Sequence, residues 1–426
     1  MTFELGVYTF GNTPRTANGG YEPTAQAIRD VLEAVHVAED VGLDFFGFGE
    51  HHTRSMPLSS PTAMVSAAAA STQRIKLGTT VTVLSTDDPV RVFQQLATAA
   101  AIAPGRIEAV AGRGSSAITF PLFDYDERDY DMLYASKLEM LLALNASEQV
   151  SWDGPHRKRP LTDALIVPRP EQPLRIWLGT GGSPSSVGRA VELGLPMFLG
   201  ILGGTPQHWA QYGQAYRGAW SQLGHPADNA GIAVAVHGFV GTDNKAAKAT
   251  YLEHEARMMA TGAAEVGRPG MAVSGREAAV EPGGMVFAGA PDEVADRIVH
   301  LHQLLGHDRQ ILQMDVGGMP HADFLRSIEL LGTEVLPQVA QGAGPVTQAP
   351  RHRRRAVDRA ARHRRSSRPG RLLHRRRSEP PARPRLQGTH HAAGPALPVR
   401  RSPRAAHRHR LTNHPPKTTH QQKEPS

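Results

Sequence analysis

The sequence predicts an α/β fold, a TIM (β/α)8 barrel with insertions, followed by a disordered basic C-terminal tail. Three observations lead there. Strand-like and helix-like segments alternate until eight βα units have passed, which implies right-handed crossovers and a parallel sheet. Eight units in about 340 residues match one closed barrel with insertions, an open doubly wound sheet being the other arrangement. Past residue 341 the composition changes abruptly and the chain contains no Phe, Tyr or Trp. The expected organisation is therefore a barrel over 1–340 and a tail over 341–426.

Residues 3–10 are apolar and strand-like. Residues 24–41 place Ile28, Val31, Leu32, Val35 and Ala38 at helical spacing, and Gly42 suits the left-handed position that ends such a helix. Strands follow at 43–49 (LDFFGFG), at 75–84 (IKLGTTVTVL, rich in β-branched residues) and at 106–111 (RIEAVA). Helices lie between them at 61–70 and at 89–103, the latter opened by Pro89. The alternation resumes with a helix at 136–144 and strands at 175–179, 196–201, 232–240 and 311–316. Their helices are expected at 183–193, 206–223, from 245 onward, at 291–305 and at 320–336. Residues 145–174 and 262–287 interrupt the pattern and read as lids or as inert surface loops.

Composition limits the chemistry. The chain has 426 residues and no cysteine, which excludes disulfides, thiolate metal sites and a cysteine nucleophile. The N-terminus MTFELGVYTF lacks the pattern of a signal peptide, and no apolar run reaches about 18 residues, so a cytoplasmic protein without a membrane partner is expected. The net charge of +7 averages two unlike parts. Residues 341–426 hold 22 Lys and Arg against 3 Asp and Glu, which leaves 25 basic and 37 acidic residues in the body. The tail has 12 prolines and no apolar periodicity with which to build a core. A basic segment of this kind binds nucleic acid non-specifically and in a salt-dependent way. Its wealth of Arg, Pro, Ala and His also matches GC-rich DNA read in a wrong frame, so a frameshift or read-through product is the preferred account.

In such barrels chemistry sits at the C-terminal ends of the strands. The second strand ends in Glu50-His51-His52. Neighbouring side chains on an extended strand point to opposite sides, so one imidazole can face the mouth as base or donor. The alternative is a histidine satisfied by backbone groups. The fourth strand runs into Gly112-Arg113-Gly114, where glycine lets the backbone approach a ligand and arginine can clamp a phosphate, or where the chain merely turns. After the fifth strand, Gly179 to Ser186 (GTGGSPSS) offers free N–H groups, hydroxyls and a helix start, which suit a mononucleotide phosphate or simply cap the helix. A metal hydrolase built on Glu50, His51 and His52 would need Asp315 and His321 as further ligands, and no metal is expected.

Taken together, GLDFFGFGEHHT (42–53), RIKLGTTVTVLSTDDPVR (74–91), GRIEAVAGRGSS (105–116) and IWLGTGGSPSSVGRAVELGLPM (176–197) make the chain resemble the luciferase-like monooxygenases over about residues 1–338. The resemblance implies a barrel that uses reduced FMN as cosubstrate, with a deazaflavin as the alternative, and acts with oxygen on a small-molecule substrate. It implies His51 as catalytic base, Arg113 on the flavin phosphate, and Gly112, Gly182, Ser183 and Ser186 around the cofactor. It places the flavin ring beside Thr80 and Val81, often at a non-proline cis peptide. Luciferase itself has a cysteine where Gly112 stands, so general oxygen chemistry is expected and light emission is not. A homodimer through the helices after the second and third strands, and a separate flavin reductase as partner, complete the expectation. A non-catalytic flavin carrier is the remaining relative. Removing residues 341–426 is expected to leave flavin binding unchanged in an equilibrium titration, and a large loss of folding on truncation would count against the tail as an appendage.

Overall fold

The computed structural model describes residues 3–114, 118–155, 157–265 and 276–343. The expected tail falls outside these residues from 344 on, as do Ser115 and Ser116. The strands are β1 (Glu4–Thr9), β2 (Phe45–Phe48), β3 (Lys76–Val83), β4 (Ile107–Gly112), β5 (Gln149–Trp152), β6 (Leu161–Leu165), β7 (Arg175–Thr180), β8 (Met197–Ile201), β9 (Ile232–Val240), β10 (Phe287–Gly289) and β11 (Arg309–Gln313). Eight of them close a parallel barrel in the order β1-β2-β3-β4-β7-β8-β9-β11, with β11 pairing back onto β1. The registers Val7↔Phe46, Phe46↔Leu77 and Leu77↔Ile107 align the outward residues of successive strands. Three-residue β10 pairs with the far end of β9 outside the ring.

Period-two alternation divides the apolar residues between two cores. Tyr8, Phe45, Val110, Trp177, Phe198, Ala233, Ala235 and Ile311 fill the barrel interior. Leu5, Val7, Phe46, Leu77, Leu178, Leu199, Val234 and Leu312 face outward, and the helices cover them. Those helices begin where the sequence gives start signals. Pro61, Pro89, Pro184, Pro206 and Pro291 occupy the first helical positions, where their missing N–H costs nothing. Asp88 caps its helix by accepting from the Val90 N–H at 2.8 Å. Gly42, at φ +90°, follows the first helix in the left-handed conformation that its position required.

The closed end of the barrel holds a buried ion network that the sequence concealed. Arg309 donates to Glu108 through two nitrogens at 2.7 and 3.0 Å and to Glu4 at 2.6 Å, and Trp177 donates to Glu108 at 2.7 Å. The charge on Arg309 explains why the last strand looked as if it began at 311. It runs from Arg309 to Gln313, with the guanidinium turned inward over the rings of Phe45 and Trp177.

Three other expectations change. Residues 149–165, read as part of a loop, contain the antiparallel hairpin β5–β6, whose strands are too short and polar to announce themselves. The helix expected at 136–144 starts earlier and spans Tyr130–Ala146. The closing helix is broken into His321–Leu330, a π-turn at Leu331–Val335 and Leu336–Gly342. Pro337 cannot donate to the preceding turn, and the widened turn sits directly before it.

Glu108→Ala leaves the Arg309 charge with only Glu4 to satisfy it and is expected to cost about 3–5 kcal/mol in a denaturant titration. The Arg309 charge, working against burial, also holds the Glu108 carboxyl at about 2, below its ordinary 4.5. A depressed carboxyl contributes stability that is fully present above 4.5 and is lost as the pH falls toward 2. The variant should therefore lack that part of the acid-induced loss.

Candidate active site

At the open end, the inward positions nearest the mouth are glycines on four strands, Gly47, Gly112, Gly179 and Gly200. At the first three the role is steric, whereas a Cβ on Gly200 would meet only Thr180 O at 3.9 Å. A Cβ on Gly112 would lie 2.2 Å from Val81, and one on Gly47 would lie 2.5 Å from Thr80. The peptide bond Thr80–Val81 is cis, and the β3–β4 register shifts between Thr79 and Thr82. Val81 consequently lies across β4 toward β7, where Gly179 would also crowd it at 3.2 Å if it bore a Cβ. Thr80, Val81 and Gly112 thus meet in one floor, with Thr80 Oγ1 buried and unpartnered among the described residues.

The segment leaving the second strand supplies Glu50, His51 and His52, which part company at once. Glu50 accepts from the Val83 N–H at 2.8 Å and pairs with His52 Nε2 at 3.0 Å, bracing the floor from behind. His51 is held through its backbone N–H to Leu58 O at 3.0 Å, and its ring stands edge-on to Phe10 with centroids 4.7 Å apart. No hydrogen bond to the ring is present among the described residues. Burial pushes the imidazole down to about 4, with His52 adding to the shift and Glu265 opposing it. The ring is neutral near pH 7 and can accept or give a proton at the mouth.

The rim is built by β4 and β7, which are paired neighbours. Arg113 is about one-third exposed, bonds Asp131 at 2.8 Å and lies 4.9 Å from the centre of the Tyr130 ring. Tyr130 in turn donates to Gly114 O at 2.9 Å. Beyond β7, Gly182 at φ +86° lies beneath Trp209, where a Cβ would come within 2.3 Å of the indole. Ser183 caps the helix Pro184–Glu192, accepting from Ser186 N at 3.2 Å, and its Oγ is 2.7 Å from Ser186 Oγ and 3.2 Å from Ser185 Oγ. Three hydroxyls at a helix start after β7, and a partly exposed guanidinium after the neighbouring β4, are groups suited to a phosphate.

Asp315 and His321 do not join Glu50 and the histidines in a metal set. Asp315 accepts from Thr9 Oγ1 and from Asn12 N at 3.2 Å, while His321 pairs with Glu33 at 3.0 Å. Sequence reasoning missed the wall opposite the floor. There His237 on β9 meets Tyr251 and Glu255 from the helix Asn244–Glu265 and Arg276 beyond it. The i, i+4 spacing of Tyr251 and Glu255 was visible, but nothing in it said what that helix face would meet.

Comparison with known proteins agrees with this architecture. The sequence profile described as luciferase-like monooxygenase matches residues 6–314. An F420-dependent glucose-6-phosphate dehydrogenase from Beutenbergia cavernae is 33% identical over 187 residues, a match spanning 41% of this chain and about half (54%) of that relative. The crystal structure of monooxygenase RslO1 from Streptomyces bottropensis superposes with a TM-score of 0.68 at 23% identity, covering 78% of this chain and 99% of that one. The oxygenating constituent of 3,6-diketocamphane monooxygenase from Pseudomonas putida, in complex with FMN, gives 0.63 at 18% identity over 80% and 99%.

His51 is expected to show a titration midpoint near 4 by NMR, with no transition near 6.5. A histidine with a lowered native pKa contributes stability that is present above 6.5 and lost as the pH falls through about 4. A His51→Phe variant should therefore lose less stability over that interval than the parent chain.

Proposed function

Because this chain belongs to the luciferase-like monooxygenase family, we propose that it is a flavin-dependent monooxygenase that uses reduced FMN and molecular oxygen on a small organic substrate. The observation that carries the proposal is the mouth itself, a floor of Val81 against Gly112 and Gly179, with Arg113 after β4 and the hydroxyls of Ser183–Ser186 after the neighbouring β7. The glycines make a planar ring acceptable there, because any side chain at Gly112 would displace Val81 from the floor. Reduced FMN, when bound, supplies the electrons for reaction with oxygen.

Each residue's task follows from its surroundings. Val81 and Thr80 support the ring, and Thr80 Oγ1 has hydrogen-bonding capacity left over for it. Arg113 exchanges Asp131 for the phosphate, a favourable trade because the bond to Asp131 is solvent-screened. Ser183, Ser185 and Ser186 add hydroxyl donors. His51, neutral and packed against Phe10, is the proton-handling group. The reduced flavin comes from a separate reductase, and two chains pair through the helices Pro61–Ser71 and Pro89–Ile102. A second reading is favoured by four relatives of the chain. The F420-dependent dehydrogenase of Beutenbergia cavernae supports a deazaflavin in the same mouth.

Anaerobic titration with FMN, riboflavin and the deazaflavin separates these readings. Reduced FMN should bind the parent chain, and Arg113→Ala should weaken it by about 10- to 100-fold while leaving riboflavin unchanged, since only the phosphate contact is removed. Preference for the deazaflavin would establish the second reading, and binding of neither would remove both.

A further inference from the structure

The wall facing the flavin floor has a chemistry of its own. In the ring of eight strands β9 stands four places from β3, so it lies diametrically opposite Val81. On β9 the inward positions are Ala233, Ala235 and then His237 at the mouth. If the cofactor ring rests on Val81, as the proposed function has it, the space between the ring and His237 is left to the substrate.

The donors and acceptors around His237 can be ordered from one fixed charge. Arg276 binds both oxygens of Glu255, through Nε at 3.0 Å and through Nη2, and so keeps the carboxylate ionised and acceptor-only. Tyr251 must then donate its single proton to Glu255 Oε1, at 2.9 Å. The Tyr251 oxygen, 3.1 Å from His237 Nδ1, is left only as an acceptor, so His237 carries its proton on Nδ1. Burial, followed by the Arg276 charge, pushes this imidazole down to about 4, so it stays neutral. Its Nε2 is therefore a bare lone pair. That atom has no hydrogen-bond partner among the described residues.

Directly across the strand pairing is Gln313, in register with His237 and likewise inward. Its Nε2 is buried without a partner among the described residues, a costly state for an amide donor. An acceptor and an unsatisfied donor thus stand side by side on the substrate wall. A carbonyl can answer only the donor, and a hydrocarbon answers neither. A hydroxyl answers both, since its oxygen gives one hydrogen bond and takes another.

We propose that His237 and Gln313 form the recognition pair for a substrate hydroxyl, His237 Nε2 accepting its proton and Gln313 donating to its oxygen, with Tyr251, Glu255 and Arg276 as positioning residues that fix the imidazole tautomer. The substrate class is accordingly an alcohol.

Two measurements on the full chain test this. In the first, histidine ring nitrogens are followed by ¹⁵N NMR in the ligand-free protein. His237 should be the Nδ1–H tautomer, and Tyr251→Phe or Glu255→Gln should each convert it to a mixture. An Nε2–H tautomer in the parent chain, or no change in either variant, overturns the relay. In the second, a panel of alcohols of two to eight carbons and their matched ketones is titrated with and without FMN. Alcohols should shift the His237 Nε2 resonance and bind about tenfold more tightly than the matched ketones, the effect of one good hydrogen bond. His237→Phe should abolish the preference and His237→Gln, which retains an acceptor, should restore part of it. Equal binding of alcohols and ketones, or no response to any alcohol, overturns the substrate class. If the tautomer and the alcohol preference hold while FMN fails to bind, the flavin reading fails by itself and the hydroxyl site stands.

Discussion

The guanidinium of Arg309, sealed inside the closed end of the barrel, is the group around which the other elements are set. It is surrounded by Glu108 and Glu4, with Trp177 completing the partners of Glu108. These residues come from β1, β4, β7 and β11, which do not all adjoin one another, so the network links strands that no ladder connects directly. Burying such charges costs several kcal/mol each, and they can be accommodated only when every partner is present. A slip of one residue in any of the four strands would turn one of these side chains outward and leave the rest unpaired. The network is thus best understood as a lock on register.

That register decides what appears at the opposite end. With Glu108 inward at the bottom of β4, Val110 and then Gly112 are inward above it, and Trp177 and Gly179 follow in the same way above Arg175. The interior therefore passes from charge, through a layer of large apolar and aromatic side chains, to a layer of glycine. The polar groups change character along the same axis. At the closed end Glu108 and Arg309 are saturated with partners, whereas at the mouth Thr80 Oγ1 and Gln313 Nε2 have none among the described residues. Uncompensated polarity inside a protein is expensive. At Thr80 and Gln313 a ligand in the mouth would supply the missing bonds.

Much of the site could be read in the linear chain because local rules govern strand ends. The glycines around Arg113 and the Ser-rich loop after Gly179 carried turn and capping signals, and both proved to be structured as such, with Gly114 and Gly182 at positive φ and Ser183 as a cap. His51 and His52 lie past the end of β2, and their partners are separate, Phe10 for the one and Glu50 for the other. The hidden parts were of another kind. Arg309 and Gln310 looked like loop residues, because a charge in a strand is unfavourable until Glu108, two hundred positions earlier, is brought to it. His237 was read only as part of the strand at 232–240, because its partners lie on a helix whose orientation no local signal fixes.

The sequence by itself determined the class of fold, the order of the strands and helices, and the strand ends at which chemistry would sit. Those properties depend on periodicity, on proline and glycine, and on caps, all of which act within a few residues. The tertiary structure alone decided which buried charges are compensated, which glycines face the mouth for want of room, and which histidine faces a relay. Such properties depend on contacts between strands far apart in the chain, and their energies exist only once the barrel has closed.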